Sequence, residues 1–320
     1  MAHVNHLKGQ NVDLLLDLLG NGVLTPVAAS TSCEFQVQGQ SEDTQAKDDP
    51  GNGEWAAPSF TYYDWTAGNE SYVVNVALLA QLLDKVVNGD ATVPVQFQTP
   101  GLYANQCCYK GTAIITSFEI TGAVDEKATV KISLDGASPL EQGNFVTIQP
   151  AAEIQEKISG KALMVAIKRN NAWETILCST SHTLSVSVET EDVRDKDMND
   201  KAVHKAVKSR SVSISSESFV PAEDSAALAD TGVDFMMNAV KTGMLCHVAL
   251  GYYPGSIGHA VDENDNAKHS WGTPDTVLIE GDFRCTSLTP ASGENQEDSK
   301  MSAEFSSVGM PTVVSPNAGE

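Results

Sequence analysis

The residues best suited to chemistry sit in a few short stretches. YYPGSIGHA (252–260) sets Ser256 and His259 among glycines, the residue types a nucleophile and its base require. An activated serine needs a GxSxG turn between a strand and a helix, and this stretch has neither that spacing nor that setting. DENDNAKH (262–269) and DVRDKDMND (192–200) look like the start of calcium loops, yet both lack Gly at the sixth position and Glu at the twelfth. Cys33, Cys178, Cys246 and Cys285 stand alone and Cys107–Cys108 are adjacent, so the paired short spacings of a zinc site are missing. His182, His204 and His247 have no paired ligands, and ordinary surface or satisfied histidines account for them. No glycine loop fit to cradle a phosphate is present. The reading is a protein without catalytic residues, cofactor or metal.

The charge balance points the same way. The chain has 320 residues and 34.0 kDa, enough for about two domains. Lys plus Arg number 20 against 42 Asp plus Glu, a formal net charge of -22. Gripping DNA phosphates takes clustered cations, which this balance does not supply. Hydrophobic content of 41% with 19% charged residues is that of a folded chain, and 6% aromatics with many Gly, Ser and Thr suits strands and turns. No apolar run approaches the ~18 residues of a membrane span. Asp13 and Asp17 bracket Leu14–Leu16, which argues against a secretory signal, so the cysteines are expected reduced.

The sequence repeats itself once. ASTSCEFQVQGQSEDTQAKD (29–48) and CSTSHTLSVSVETEDVRDKD (178–197) share eight of twenty positions at a shift of 149. GNESYVV (68–74) aligns with SSESFVP (215–221), and a stretch ending at Gly89 with one ending at Gly243. KGTAIITSFEI (110–120) faces EGDFRCTSLTP (280–290), and Gly136 faces Gly309. The shift grows from 154 at Gly243 to 170 at Gly281, placing about sixteen extra residues near 251–275. Five blocks in one order divide the chain into 1–148 and 149–320, joined near GNFVTIQPAAEIQ (143–155). Charge divides evenly: 6 − 17 in residues 1–150 and 14 − 25 in residues 151–320, both −11.

The elements that would carry these residues follow from periodicity. Cys33, Phe35 and Val37 alternate with Glu34, Gln36 and Gln38, while Leu184, Val186 and Val188 alternate with Ser185, Ser187 and Glu189. Val130, Ile132 and Leu134 alternate in the same way. Period two means strands with one dry and one wet face. Val76, Leu79, Leu83, Val86 and Val87 fall at helical spacing, with Asn75 as N-cap and Gly89 as stop. In the second copy Leu228, Phe235, Met236, Ala239 and Val240 trace that face. The fold class is mainly β: two tandem β-sandwich or barrel domains, each with one packed α-helix.

Two long charged hairpins complete the pattern. SEDTQAKDDPGNGEWAAP (41–58) centres on a turn-forming DPGNG and carries Glu42, Asp43, Lys47, Asp48 and Asp49. Its counterpart sets Asp192, Arg194, Asp195 and Asp197 on one arm against Lys201, Lys205 and Lys208 on the other. A small β-domain has no internal use for such hairpins, so they are expected to contact another ring or domain.

The order of these blocks resembles the major tail tube proteins of long-tailed bacteriophages. A Gly opening (Lys8-Gly9-Gln10, Ser159-Gly160-Lys161) precedes the ASTSCEF-type strand. The SEDTQAKDD hairpin, a TYYDWTAGNESYV strand, a helix, and the YKGTAIITSFEI and ATVKISLDGASPL strands follow. The resemblance implies a structural virion protein that polymerises into the hollow tail tube through which DNA passes. In tandem form it implies homotrimeric rings of six pseudo-equivalent domains, assembled in the host cytoplasm. Tape-measure and tail terminator or initiator proteins are the implied partners, and no membrane insertion is implied. Glu34, Gln36, Gln38, Gln40, Ser133, Ser185, Ser187, Glu189 and Glu304 are the candidate lumen residues. The alternative is a tandem β-sandwich virion decoration or adhesin-type binding module, whose hairpins would be ligand loops.

Overall fold

The computed structural model describes residues 13–43, 58–99, 107–147, 157–193, 200–220, 233–252, 276–291 and 298–314, apart from residues 19, 28, 170, 171, 177 and 178. The 253–275 segment, Ser256, His259, Leu228, Cys178 and the hairpin residues Lys47, Asp48, Asp49, Arg194, Asp195 and Asp197 therefore lie outside the described residues.

The fold is mainly β and antiparallel. In the first half β1 (Asp13–Leu16), β2 (Thr25–Pro26), β3 (Ser30–Asp43) and β4 (Pro58–Tyr72) precede helix α1 (Val76–Val87). β5 (Thr92–Gln98), β6 (Cys108–Ala123), β7 (Thr129–Gly136) and β8 (Glu141–Gln142) follow it. The second half runs β9 (Leu163–Arg169), β10 (Ala172–Thr175), β11 (Ser179–Val193), β12 (His204–Phe219), α2 (Val233–Thr242), β13 (Leu245–Tyr252), β14 (Thr276–Ala291), β15 (Lys300–Ser307) and β16 (Thr312–Val313). All sixteen strands among the described residues belong to one sheet.

Strand pairing repeats from half to half. β2-β1-β5-β6-β7-β4-β3 matches β10-β9-β13-β14-β15-β12-β11, with β8 on β6 as β16 is on β14. Even the irregularities recur. β3 and β4 slip between Ser30 and Ser32 and between Gln40 and Ser41, while β11 and β12 slip between Ser179 and Ser181 and between Glu189 and Thr190. β6 slips against β7 between Ile115 and Ser117, as β14 does against β15 between Cys285 and Ser287. These registers correct one alignment made from the sequence. Gly136 sits opposite Ala113, and the residue opposite the matching Phe283 is Ser307, so Gly136 corresponds to Ser307 and not to Gly309.

The helices have identifiable limits. Asn75 Oδ1 accepts the Leu78 N–H at 3.2 Å, capping the start of α1. Gly243 ends α2 with a φ of +64°, a left-handed conformation that glycine adopts without a Cβ clash. Buried faces of α1 (Leu79, Leu83, Val86) and α2 (Met236, Ala239) join the dry sides of the strands in one apolar cluster drawn from both halves. Trp65, 2% exposed, anchors the first half and donates Nε1–H to Ser138 O at 2.8 Å. A Cβ on Gly136 would stand 2.4 Å from its ring, so glycine there makes the room. Val212 takes the equivalent position in the second half.

Candidate channel face and interdomain hairpin

The two halves are stitched by one ladder. β11 pairs antiparallel with the C-terminal part of β6, from Ser181–Ala123 to Ser187–Ser117. The N-terminal part of that β6 edge is taken by β5, so the long strand serves both neighbours. Eight strands thus form a continuous run, β3-β4-β7-β6-β11-β12-β15-β14.

Period two sends alternate residues of that run to opposite faces. On the dry face Phe118, Ile120, Leu184 and Val186 are all 0% exposed. The other face is polar from end to end. One row reads Glu34, Gly68, Ser133, Ser117, Ser187 and Ser211 through successive ladder partners. A second reads Ser32, Glu70, Lys131, Glu119, Ser185, Ser213 and Ser306. A third passes from Thr129 through Thr121, Thr183 and Ser215 to Glu304. Carboxylates at Glu34, Glu70, Glu119, Glu189, Glu217 and Glu304 outnumber the cations Lys131, Arg284 and Lys300 on this face, with Lys208 beside Glu189.

The nine candidate lumen residues therefore share one surface, though not one row. Glu34, Ser133 and Ser187 are in line, and Ser185 and Glu304 lie on neighbouring rows. Gln36 and Gln38 continue β3 outward opposite Thr66 and Asp64, with Gln40 beyond them opposite Tyr62. Glu189 lies at the far end of β11, where its carboxylate accepts the Ser209 hydroxyl at 2.8 Å and faces Lys208 at 3.6 Å. That hydroxyl, followed by Lys208, holds its pKa below the ordinary value.

The second-half hairpin folds back over the first half. Tyr63 N–H donates to Lys201 O at 2.8 Å and Val203 N–H to Tyr63 O at 3.1 Å. The Lys201 ammonium lies 5.1 Å from the centre of the Phe60 ring. Lys205 Nζ donates to Asp64 Oδ2 at 2.8 Å and to Asp135 Oδ2 at 3.2 Å, its side chain only 9% exposed. Burial alone would lower the Lys205 pKa, but the two carboxylates outweigh it and hold the pKa raised. Asp192 lies opposite Lys205 across the hairpin. Glu42 and Asp43 pair with Ser59 and Pro58 at the base of the first-half hairpin. Sequence reasoning missed Asp64 and Asp135, because partners 141 and 70 residues away from Lys205 leave no trace in spacing.

His182 was read as an ordinary histidine, and the structure corrects that. It is 4% exposed, between Gly122 of β6 and Ser216 of β12, and its Nδ1 has no hydrogen-bond partner. Burial pushes its pKa down to about 4. Among the described residues no group of three His, Cys, Asp or Glu side chains is arranged to hold a metal ion. His204 and His247 instead lie 2.9 Å from single aspartates, Asp200 and Asp282. Among the described residues no helix is long and apolar enough to cross a membrane.

Residues 6–142 match the model of the phage tail tube protein family. The first half of the chain is therefore similar to that family. It is a family of structural virion proteins, and the resemblance drawn from the order of the sequence blocks holds. No curated protein matches the chain. Among solved structures, the tail of an empty gene transfer agent particle, refined with C6 symmetry, is similar at 19% identity, covering 49% of this chain and 98% of that one with a TM-score of 0.36. The virion of the native gene transfer agent particle is similar at 19% identity, with coverage of 49% and 98% and a TM-score of 0.34. The SPP1 tail tube is similar at 15% identity, with coverage of 44% and 81% and a TM-score of 0.35.

Proposed function

We propose that this tail tube protein carries two tandem tail-tube domains, 1–148 and 149–320, and polymerises into the hollow tube of a phage tail. Three chains form a ring of six pseudo-equivalent domains, and rings stack through loops and hairpins. The polar face of the eight-strand run lines the lumen, and viral DNA passes along it into the host. The repeated strand registers support the two-domain reading, and the uninterrupted polar face is the observation that carries the function.

A wet face that continues across both halves is what a shared channel wall needs. Serine, threonine and carboxylate side chains offer DNA little to grip, and the excess of carboxylates repels phosphate. Slippage, and not binding, is the property required of a conduit. By resemblance, tape-measure and tail terminator or initiator proteins bound the tube, and assembly takes place in the host cytoplasm.

Concentrated purified protein imaged in negative stain should show hollow rods with three chains per ring. A single-chain mass at every concentration, with no rods or rings, would overturn the proposal.

A further inference from the structure

Polar atoms buried without a partner gather at one place. Among the described residues five buried side-chain atoms have no hydrogen bond: Asn69 Oδ1, Glu174 Oε2, His182 Nδ1, Ser216 Oγ and Ser218 Oγ. Three of these belong together. His182 of β11 is the ladder partner of Ser216 in β12, and Ser218 follows two residues on, so all three side chains point to the dry face. They are 4%, 1% and 2% exposed. A buried donor or acceptor left unpaired costs more than an ordinary hydrogen bond gains. Where the chain supplies no partner, folded proteins meet that need with an internal water. We infer that His182 Nδ1, Ser216 Oγ and Ser218 Oγ together hold one buried water molecule, beside the ladder that joins the two halves. The site is independent of the tube reading.

The spacing suits a single oxygen. A water lies about 2.8 Å from each partner, so it joins atoms up to about 5.6 Å apart. Directly opposed side chains start about 5 Å apart at Cβ, and residues i and i+2 lie about 7 Å apart along a strand. Rotation of the two hydroxyls closes the remaining gap. Water and serine each donate and accept, and a neutral imidazole nitrogen needs one partner, so one molecule satisfies all three groups. Three partners is also the usual number for a buried water. The walls are apolar. Leu184 and Ile214 come next on the dry face, and Ala303 and Met301 stand opposite Ser216 and Ser218, all 2% exposed or less. On the other side of His182, Gly122 is closed over by the chain at 160–163. A Cβ on Gly122 would stand 2.5 Å from Gly160 O and 3.0 Å from Leu163 Cβ.

The first half meets the same place with its own atoms. Asn69 faces Cys33 as Ser216 faces His182. The Asn69 amide nitrogen donates to Ser30 Oγ at 2.6 Å and to Ser32 O at 3.1 Å, reaching across the slip in β3. Ser179 and Ser181 flank the matching slip in β11. Ser216 lacks the carboxamide that would reach them, and His182 brings a ring nitrogen where Cys33 has a thiol. The second half therefore has less reach and one more acceptor at the same point, and water makes up both.

Magnetic relaxation dispersion of the solvent counts the waters that stay inside a protein. His182→Leu with Ser216→Ala and Ser218→Ala removes all three polar atoms and leaves an apolar site, which stays dry. The folded triple variant should hold one long-lived water fewer than the parent. Single substitutions separate a hydrated site from a dry one by the direction of the effect. Ser216→Ala and Ser218→Ala should each lower the urea midpoint by about 0.3 M, because a bond to the water is lost. In a dry site the same changes delete an unpaired hydroxyl and raise the midpoint. An equal water count in parent and triple variant, or a midpoint raised by either serine substitution, would overturn the site. If the triple variant does not fold, the two serine variants decide alone.

Discussion

The two halves share a backbone and differ in what they bury. Every ladder and every slip of β3–β4–β7–β6 recurs in β11–β12–β15–β14. Yet Trp65 fills the first half where Val212 stands in the second, Cys33 and Asn69 correspond to His182 and Ser216, and Asp64 and Asp135 correspond to Ser211 and Ser306. The backbone pattern depends on alternation and on where the chain slips, which many side chains satisfy. Side chains that touch the partner half are therefore free to diverge. The first half has become a socket, with a large aromatic anchor and two carboxylates aimed at the hairpin of the second.

The largest expected contrast lies in the cores. Trp65→Ala removes a 2%-exposed indole and its bond to Ser138, and should cost about 3–5 kcal/mol. Val212→Ala removes far less volume and should cost less than half as much. Urea unfolding of the two variants checks this. Equal losses would mean that the Trp65 pocket collapses on truncation and that the anchor is not special.

His182 separates the halves by pH. Its pKa falls from 6.5 to about 4 through burial, so the folded state resists the proton that the unfolded chain accepts. Stability is intact above pH 6.5 and is lost as pH falls from there towards 4, amounting to about 3 kcal/mol at the acid end. Cys33 at the equivalent place cannot do this, because burial followed by the Asp13 charge pushes its pKa up to about 11 and it stays protonated throughout. His182→Cys should flatten the profile between pH 6.5 and 4 in thermal melts. An unchanged profile would assign the acid sensitivity to carboxylates elsewhere.

Much of this was legible in advance and some was not. Alternation in Cys33–Gln38 and Leu184–Glu189 announced strands, and the spacing of Val76 to Val87 with Asn75 before it announced α1 to the residue. The slips at Thr31, Thr116, Thr180 and Thr286 were invisible, because a bulge changes the pairing without changing composition. Setting Gly136 against Gly309 matches one glycine to another by type alone, whereas the ladder makes Ser307 its counterpart. The face shared by Glu34, Ser133 and Ser187 could be guessed strand by strand. Its continuity needed the β6–β11 ladder, which joins positions about sixty residues apart and has no local sign.

The hairpin clamp comes next in size. Lys205 is nearly buried while Asp64 and Asp135 keep 28% and 27% exposure, so the triad lies between a surface pair and a buried one. Lys205→Met should cost about 2 kcal/mol, and the parent's advantage should shrink with added salt as screening weakens it. Introducing Lys at Pro58, the equivalent position, should gain nothing, since Ser211 and Ser306 offer it no carboxylate. A salt-independent difference between Lys205→Met and its parent would mean that packing of the lysine stem, and not charge, holds the hairpin down.

The smallest effect on stability should carry the largest effect on function. Gln36 is exposed and Ser185 is only partly buried, one in each half, both on the polar face and away from the apolar side of their strands. Changing both to Lys should shift stability by no more than about 0.5 kcal/mol. In a ring of three chains it would add six cations to the lumen, repeated along every ring of the tube. A lysine near phosphate releases condensed counterions, and even weak attraction accumulates over many rings. Phage particles built with the double variant should assemble normally, then eject DNA slowly or incompletely at low salt. The defect should ease as salt rises, because counterion release yields less free energy in a concentrated ionic medium. Ejection at the parental rate in low salt would take β3 and β11 off the channel wall, leaving their polar face to be explained as ordinary solvent contact.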